Sequence, residues 1–358
     1  MAAGRGAGRG VARAGFCQPR GDERMPDMRV LAAPDKFRGT ASAAEIAGAV
    51  AEAAAAVPAS CDTAPMADGG EGTLDALGGP NRTSVVTGPL GEPVDAPWRL
   101  SRGVAVIEMA LASGLALAGG ATGNDPVNAT TAGTGELIAE AVGAGARRVL
   151  VAVGGSATTD GGLGAVRALP SPARMSGVEM IVACDVRTAF MDAAAVFGPQ
   201  KGASPAQVEL LARRLRALTE LYERDFGVEV AAMPRAGAAG GLAGGLAARG
   251  AGLVDGFEVV ADEIGLRERI SDADVAVTGE GRYDATSLEG KVVSGVAELA
   301  AQSGTRVLAV VGSRDPSAPA PDGMEIVDLT GRFGSRRALA DPCGCVREAV
   351  EDVLRAGV

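Results

Sequence analysis

The feature that most constrains the fold is a recurring order of β-branched runs, glycine-rich polar segments and helix-compatible stretches. Strand-like runs occupy residues 104–109, 149–153 and 275–278, and polar or glycine-rich residues follow each of them. Alternation of strand and helix along a chain implies parallel sheets with helices on their faces. The sequence therefore predicts an α/β fold in which loops leaving the strands gather at one edge of each sheet, where ligands bind.

Local signals set several element boundaries. Ser42 and Glu45 have the spacing of a capping box, which predicts a helix over about 42–57. Ser204 followed by Pro205 predicts the start of a long helix that ends near Gly227. The strand at 275–278 is expected to run into a charged loop that begins at Gly279.

Chain length and composition indicate two domains rather than one. At 358 residues the chain exceeds a typical single domain. Hydrophobic residues make up 47% of the sequence but aromatic residues only 3%, so the cores should be packed mainly by alanine, valine and leucine. Residues 1–27 are rich in glycine, alanine and arginine and lack an apolar period, so they are expected to form a disordered tail.

Charge and residue usage narrow the function classes. The net charge of -10 disfavours nucleic-acid and anionic-membrane partners, and no apolar stretch is long enough to span a bilayer. Five scattered cysteines fit a reducing cytoplasm better than a disulfide framework. Since the chain has no histidine, histidine triads and histidine-ligated zinc sites are excluded. A homo-oligomer is left open.

Two segments combine glycine with acids and hydroxyls, at residues 66–73 and 154–162. Glycine turns let backbone N–H groups approach an anion, and interspersed carboxylates can hold a divalent cation. We therefore expect phosphate handling, although a turn or a solvated hairpin is the simpler interpretation of each segment. Asp160 either caps a helix or helps to hold magnesium. The residues expected to bind the cofactor phosphates here are Gly69, Gly70, Gly154, Gly155, Ser156, Thr158 and Thr159.

Charged residues near predicted strand and helix ends supply the other candidates. Asp185 directly follows an apolar run, and Lys201 precedes a helix start, where a lysine can contact phosphate as a point charge. The segment after residue 278 alternates charge and could form either a solvated cluster or a ligand clamp. Its candidates are Gly279, Glu280, Gly281, Arg282 and Lys291, and Asp68 and Glu71 lie in the earlier segment.

Two common nucleotide motifs are missing. The nearest candidate for a Walker A loop, Gly290-Lys291-Val292, lacks the upstream glycine and the hydroxyl. None of the glycine clusters forms the dinucleotide fingerprint at a strand end, so a dinucleotide enzyme is weakly supported.

Nine motifs in sequence order resemble the bacterial glycerate kinase family. They begin with Ala-Pro-Asp-Lys-Phe-Arg-Gly at 33–39 and include both glycine segments, Ile-Glu-Met-Ala at 107–110, Ala-Cys-Asp-Val at 183–186 and Thr-Gly-Glu-Gly-Arg at 278–282. The resemblance covers residues 29–358. The segment at 187–192 departs from the Asn-Pro-Leu sequence of many members, and Lys36 with Arg38 replaces a more frequent Ser and Lys pairing.

The resemblance implies a fold, a reaction and roles for the candidates. It implies two α/β domains around a cleft, with a Rossmann-like first domain, split in sequence, at 28–83 and 271–358, and an inserted second domain at 84–270. It also implies transfer of the ATP γ-phosphoryl group to D-glycerate with Mg²⁺, commonly at the 2-hydroxyl. We expect catalysis by Asp185, Lys201 and Arg282, and substrate binding by Asp35, Lys36, Arg38 and Lys291. Metal binding is expected from Asp68, Glu71 and Glu280, and cofactor binding also from Gly279 and Gly281.

Two other function classes remain open from the residues alone. A non-catalytic nucleotide- or phosphate-binding module could use the same glycine loops. A hydro-lyase or sugar-phosphate isomerase could use them without ATP.

Overall fold

The computed structural model describes residues 28–288 and 291–357, so the predicted tail at 1–27 lies outside the described residues. The strands are β1 Met28–Ala32, β2 Ala59–Thr63, β3 Arg82–Thr87, β4 Pro93–Ser101, β5 Val104–Glu108, β6 Arg148–Ala152, β7 Glu179–Cys184, β8 Gly252–Asp255, β9 Val275–Tyr283, β10 Arg306–Arg314 and β11 Met324–Asp328. The α-helices are α1 Ala43–Ala55, α2 Thr73–Ala76, α3 Ala110–Ser113, α4 Gly120–Gly123, α5 Ala132–Gly143, α6 Leu163–Ala168, α7 Pro172–Met175, α8 Ala193–Phe197, α9 Pro205–Phe226, α10 Leu242–Ala248, α11 Gly256–Ile264, α12 Leu266–Ser271, α13 Val292–Ser303, α14 Leu329–Phe333, α15 Ser335–Ala340 and α16 Pro342–Arg355. Short 3₁₀ turns occur at Phe190–Asp192, Pro199–Lys201, Ala238–Gly241 and Ala285–Leu288.

The first sheet is parallel throughout and draws its strands from both ends of the chain. Its order is β11-β10-β9-β1-β2, and each neighbouring pair is parallel. Going along the chain, the strands are added first to one side of β1 and then to the other. The order therefore reverses between β1 and β9, and in open parallel sheets this reversal opens a crevice at the carboxyl ends of the strands. We call this sheet with its helices the first lobe.

The second sheet follows chain order, β3-β4-β5-β6-β7-β8. The strands β3, β4 and β5 are antiparallel neighbours, and β5 to β8 are parallel. We call this sheet with its helices the second lobe. Two lobes with mainly parallel sheets, the first of them discontinuous in sequence, confirm the predicted fold class.

The predicted domain boundaries stay a prediction, and two observations bear on where they fall. β3 begins at Arg82 and pairs with β4 along its whole length, so the second sheet starts slightly before residue 84. Phe257 of α11 and Leu266 and Ile270 of α12 pack with Leu31 and Ala276 in the core of the first lobe. Val259 of α11 packs with Leu150 and Ile181 of the second sheet, so α11 lies between the two lobes.

The local helix signals act as predicted. The Ser42 hydroxyl accepts a hydrogen bond from Glu45 N, and the Glu45 carboxylate accepts one from Ser42 N, which completes the capping box of α1. Ser204 and Gln207 form the same reciprocal pair at the start of α9, and Gly227 ends that helix in the left-handed conformation. These contacts satisfy backbone groups that the first and last helical turns leave unpaired.

The prediction of a loop from Gly279 onward is wrong, because β9 continues to Tyr283. Gly279, Glu280, Arg282 and Tyr283 align with residues of β10 in parallel register. A methyl group added at Gly279 would lie 2.1 Å from Val310 O. The glycine therefore permits close approach of the neighbouring strand, which the sequence pattern alone does not distinguish from a loop glycine.

The carboxyl ends of the two sheets face each other through backbone contacts that only glycine allows. A methyl group at Gly154, after β6, would lie 2.6 Å from Gly70 Cα. Similarly, one at Gly256, after β8, would lie 1.9 Å from Asp68 O. Val153 N also donates to Gly69 O at 3.0 Å. The 66–73 segment is thus held against the second sheet, although it follows a strand of the first.

We expect Gly154→Ala to lower the free energy of unfolding by about 1–3 kcal/mol, because the added methyl group overpacks the contact with Gly70. Gly48→Ala is the matched control. Gly48 lies exposed inside α1 with no atom within 4 Å of an added methyl group, so alanine should stabilise by about 0.5–1 kcal/mol. Thermal unfolding of the two variants beside the parent protein measures both effects. Equal unfolding midpoints for Gly154→Ala and the parent would contradict the close contact.

Candidate active site

A cavity of about 390 Å³ lies where the strand order of the first sheet reverses. The loop after β1, the end of β9, and residues that follow β2 and precede α13 form its walls. We call it the switch-point cavity. It brings together seven charged residues singled out in the sequence: Asp35, Lys36, Arg38, Asp68, Glu280, Arg282 and Lys291. Gly281 also lines it, and Thr40, Ser313 and Thr330 add hydroxyls that the sequence analysis did not single out.

Two larger cavities adjoin this one. The first, about 900 Å³, shares Asp35, Lys36 and Arg38 with the switch-point cavity and also contains Glu71 and Glu108. The second, about 940 Å³, shares Lys291 and contains Asp185. We call them the α1 cavity and the Asp185 cavity. The three ligand-sized cavities thus have walls in common.

Three interacting carboxylates, Asp35, Asp68 and Asp185, extend from the first lobe to the second. Asp35 N donates to Gly279 O at 2.8 Å, and its carboxylate accepts a hydrogen bond from Lys36 N at 2.7 Å. Burial raises the pKa of Asp35 to about 6, and the neighbouring Asp68 adds to this rise, although Lys36 opposes it. Asp68 therefore lies close enough to Asp35 for like-charge repulsion.

Asp185, the third of these carboxylates, lies directly after β7 in the second lobe. Burial raises the pKa of its carboxyl, and repulsion from Asp68 acts in the same direction. Lys291 and Lys36 of the first lobe lower it. These interactions place Asp185 beside charged groups from the opposite lobe, which is the arrangement predicted for a residue at a strand end facing a cleft.

Glu280 has the features of a ligand-binding carboxylate. Burial raises its pKa to about 7, although a hydrogen bond from Ser287 and the charge of Lys291 lower it. Within the part of the chain that the structure describes, Glu280 Oε1 is buried and has no hydrogen-bond partner. A buried carboxylate oxygen of this kind is unfavourable unless a ligand or cation satisfies it.

The three predicted metal residues do not converge on one point. Asp68 and Glu280 line the switch-point cavity, whereas Glu71 lines the α1 cavity. Residues 28–288 and 291–357 hold no cluster of three or more Cys, Asp or Glu side chains arranged around a metal position. Mg²⁺ commonly takes only one or two protein carboxylates and completes its shell with water and phosphate oxygens.

The predicted cations differ in exposure. The Lys36 side chain is 16% exposed and its ammonium lies 3.6 Å from Asp35 Oδ1. Arg282 is 72% exposed, 3.6 Å from Asp284, at the mouth of the same cavity. Lys36 is therefore fixed before a ligand arrives, whereas Arg282 is free to reorient toward one.

The 154–162 segment is built into the second lobe more deeply than expected. Ser156, Thr158 and Thr159 are buried, so their hydroxyls do not face any of the three cavities. Lys201, also buried, donates from Nζ to Ser156 Oγ at 2.7 Å and to Thr158 O at 2.5 Å. Their roles toward phosphate stay predictions, and the structure shows Lys201 tethering this segment from behind.

Gly155 and Asp160 belong to the same tethered segment. Gly155 O accepts a hydrogen bond from Leu115 N at 2.9 Å. The Asp160 carboxylate accepts hydrogen bonds from Gly162 N, Gly164 N and the hydroxyl of Thr131. Asp160 thus satisfies backbone N–H groups at the start of α6, as expected for a capping role, and its role toward magnesium stays a prediction.

Three residues near the site, Glu108, Arg235 and Asp255, were given no role from the sequence. Glu108, at the end of β5, accepts a hydrogen bond from Leu74 N at 2.6 Å, and burial raises its pKa. Arg235 donates to Cys184 O and to the carboxylate of Asp255. Glu108 was named only as part of the family motif at 107–110. Arg235 and Asp255 lie in segments that only the tertiary fold brings to the cleft.

The segment at 187–192 is accommodated without disturbing the site. Arg187 and Thr188 line the Asp185 cavity. Phe190 is fully buried and packs edge-on against Tyr222, with ring centroids 6.2 Å apart. This departure from many family members therefore changes the wall of one cavity and leaves Asp185 at its strand end.

Comparisons with known proteins agree with this arrangement. The sequence model of the glycerate kinase family matches residues 30–172 and 170–356. The chain belongs to the glycerate kinase family. It is 38% identical over 326 residues to glycerate 2-kinase of Escherichia coli strain K12, covering 80% of this chain and 85% of the relative. It is 37% identical over 340 residues to glycerate kinase of Bacillus subtilis strain 168, covering 83% and 89%.

A solved structure supports the same family at the level of the fold. The crystal structure described as glycerate kinase 2 from Salmonella typhimurium LT2 matches with a TM-score of 0.78 and 35% sequence identity. The match covers 92% of this chain and 99% of that one. Among the helices that the structure describes, none has the length and apolar character needed to cross a membrane.

Lys201 generates a pH-dependence prediction. Burial lowers its pKa to about 7, from an ordinary value of 10.5. Between these values the unfolded chain binds a proton that the folded protein lacks, so this group makes stability rise with pH, by at most about 1.4 kcal/mol per pH unit. We expect Lys201→Met to remove that contribution. Thermal unfolding of both proteins at pH 7.5 and pH 9.5 measures it.

The comparison between parent and variant is needed because other groups act in the opposite direction. Burial raises the pKa of Cys184 to about 12, which makes stability fall as pH rises through the ordinary thiol range. Both proteins share that effect. If the change in unfolding midpoint between the two pH values is the same in Lys201→Met and the parent, the lysine is charged in the folded protein and the prediction fails.

Proposed function

We propose that this protein transfers the γ-phosphoryl group of ATP to D-glycerate in the presence of Mg²⁺. The observation that carries the proposal is the meeting of cations and carboxylates in the switch-point cavity beside Asp185. Phosphoryl transfer needs mainly positioning and neutralisation of charge on the phosphate oxygens. Cations that neutralise phosphate charge, carboxylates that position the cations, and Asp185 beside them as a base are suited to positioning and to charge neutralisation.

The acceptor is proposed to bind through its carboxylate. Lys36 and Arg38 lie on the loop after β1 and both line the switch-point cavity, whose size suits a short hydroxy acid. A carboxylate is well matched to the planar guanidinium of arginine and to a neighbouring ammonium. Asp35 lies 3.6 Å from the Lys36 ammonium, and Lys291 lines both the switch-point and the Asp185 cavities.

In the proposed reaction, the glycerate oxygen forms a bond to the γ-phosphorus while the bond from that phosphorus to the β-phosphate bridging oxygen breaks, releasing ADP. Asp185 receives the hydroxyl proton. Its raised pKa suits a general base, because burial strengthens the affinity of the carboxylate for a proton. Lys291 and Arg282 neutralise charge near the transferred group.

The donor set fits a magnesium ion. Asp68 and Glu280 would hold it, since oxygen ligands suit Mg²⁺ and the buried, unpaired Glu280 Oε1 would gain a partner. When bound, the ion neutralises phosphate oxygens. Glu71 lines the α1 cavity instead, so in this proposal it does not bind the ion together with Asp68 and Glu280.

Transfer to the 2-hydroxyl is preferred over transfer to the 3-hydroxyl in this proposal. Its support is the likeness to the Escherichia coli relative, which is named as a glycerate 2-kinase. A cytoplasmic location is proposed with it, because ATP and phosphorylated acids are intracellular metabolites.

Incubation with D-glycerate, ATP and Mg²⁺ should yield ADP and 2-phosphoglycerate. Phosphorus NMR identifies the product, because its phosphorus couples to a single proton on the neighbouring carbon, whereas that of 3-phosphoglycerate couples to two. Predominant 3-phosphoglycerate would overturn the regiochemistry alone. Nucleotide binding without turnover would instead favour a regulatory binding module.

Asp185→Asn should lower kcat by roughly 10² or more, because the amide cannot accept the hydroxyl proton. The affinity for ATP should be retained, as measured by calorimetry. Asp192→Asn is the matched control, since Asp192 is exposed on the same connection after β7 and lines none of the three cavities. An unchanged kcat in Asp185→Asn would remove Asp185 as the base.

A further inference from the structure

Arg235 holds an unusual conformation directly behind Asp185. Its backbone has a φ of +71°, in the left-handed region that arginine rarely adopts. Its guanidinium donates to Cys184 O at 2.6 Å and to Asp255 Oδ2 at 3.0 Å. The side chains of Arg235 and Asp255 are only 14% and 15% exposed.

The two contacts join the ends of neighbouring strands. Cys184 is the last residue of β7, so the carbonyl that Arg235 binds belongs to the peptide bond that leads into Asp185. Asp255 is the last residue of β8, and its other oxygen accepts a hydrogen bond from Phe257 N at the start of α11. A single guanidinium therefore fixes the backbone from which the Asp185 side chain projects and the cap of the following helix.

The start of α11 also contacts the loop that follows β2 of the first lobe. Gly256, between Asp255 and Phe257, packs against the main chain of Asp68 so closely that a methyl group would lie 1.9 Å from Asp68 O. The position of Asp68 thus depends on where α11 begins. Arg235 acts on both carboxylates through the backbone, without lining any of the three cavities.

The geometry of these contacts favours arginine over lysine. A planar guanidinium can donate to a carbonyl and a carboxylate at once in fixed directions, which an ammonium does with less control of angle. The surrounding segment supplies glycine at 237, 240 and 241, where close backbone approach demands it.

We propose that Arg235, paired with Asp255, is a positioning residue for phosphoryl transfer: it holds the peptide bond between Cys184 and Asp185 so that the Asp185 carboxylate faces the acceptor hydroxyl. This inference rests on the role of Asp185 proposed above. Small displacements of a reacting group cost much of the rate. The residues proposed to bind the glycerate carboxylate, Lys36 and Arg38, lie in the other lobe.

Arg235→Gln should lower kcat about tenfold or more, with KM for glycerate and ATP changed less than about threefold. Arg235→Lys should recover part of the loss, because it keeps one charged donor. Arg249→Gln is the matched control: Arg249 is also half-buried in the second lobe and donates to two backbone carbonyls, of Val166 and Pro170, away from the cavities. Its kcat should match the parent.

A double-mutant cycle with Asp185→Asn separates positioning from general support of the fold. If Arg235 acts through Asp185, adding Arg235→Gln to Asp185→Asn should lower kcat no further. A second full tenfold loss on that background would overturn the inference while leaving the base assignment intact. An unchanged kcat in Asp185→Asn alone would overturn both.

Asp255→Asn provides a second route if Arg235→Gln does not fold. It keeps the helix cap through its amide oxygen but weakens the grip on Arg235, so it should lower kcat with the same lack of additivity. Normal kcat in a folded Asp255→Asn and in Arg235→Lys would contradict the inference.

Discussion

The site depends on backbone packed against backbone between the two lobes. The loop that follows β2 of the first sheet reaches the carboxyl end of the second sheet, where Gly70 meets Gly154 and Gly256 meets Asp68. A side chain at Gly154 or Gly256 would clash with the facing main chain, so the strand ends would have to move apart. The separation of the facing strand ends, and so the reach of every charged group between them, is set by these contacts.

These contacts bring carboxylates from both lobes close to one another. Asp68 is carried by the bridging loop, Asp35 by the first lobe and Asp185 by the second, and Asp68 repels both of the others. The cost is offset partly by Lys36 and Lys291, which lower the pKa of Asp185. A cluster of this kind is unfavourable for folding in itself and is typical of sites that bind cations or transfer protons.

Sequence patterns were most informative where chemistry is local. Capping boxes at Ser42 and Ser204 fixed the starts of α1 and α9, because the partner lies three residues away. The strand-end rule brought Asp35, Lys36, Arg38 and Glu280 to one cavity, since parallel strands share a carboxyl edge. It could not reveal that β9 extends past Gly279, because a strand glycine and a loop glycine differ only in what lies beside them.

The glycine-rich segments show the same ambiguity at the level of function. A glycine can leave room for a phosphate or for another main chain, and the sequence of residues 154–162 is compatible with both. In the fold, its hydroxyls and Lys201 turn inward, while its first glycine faces Gly70. A segment held this tightly from behind presents its remaining N–H groups in a fixed direction. Rigid packing is therefore compatible with anion binding, and phosphate binding by this segment stays a prediction.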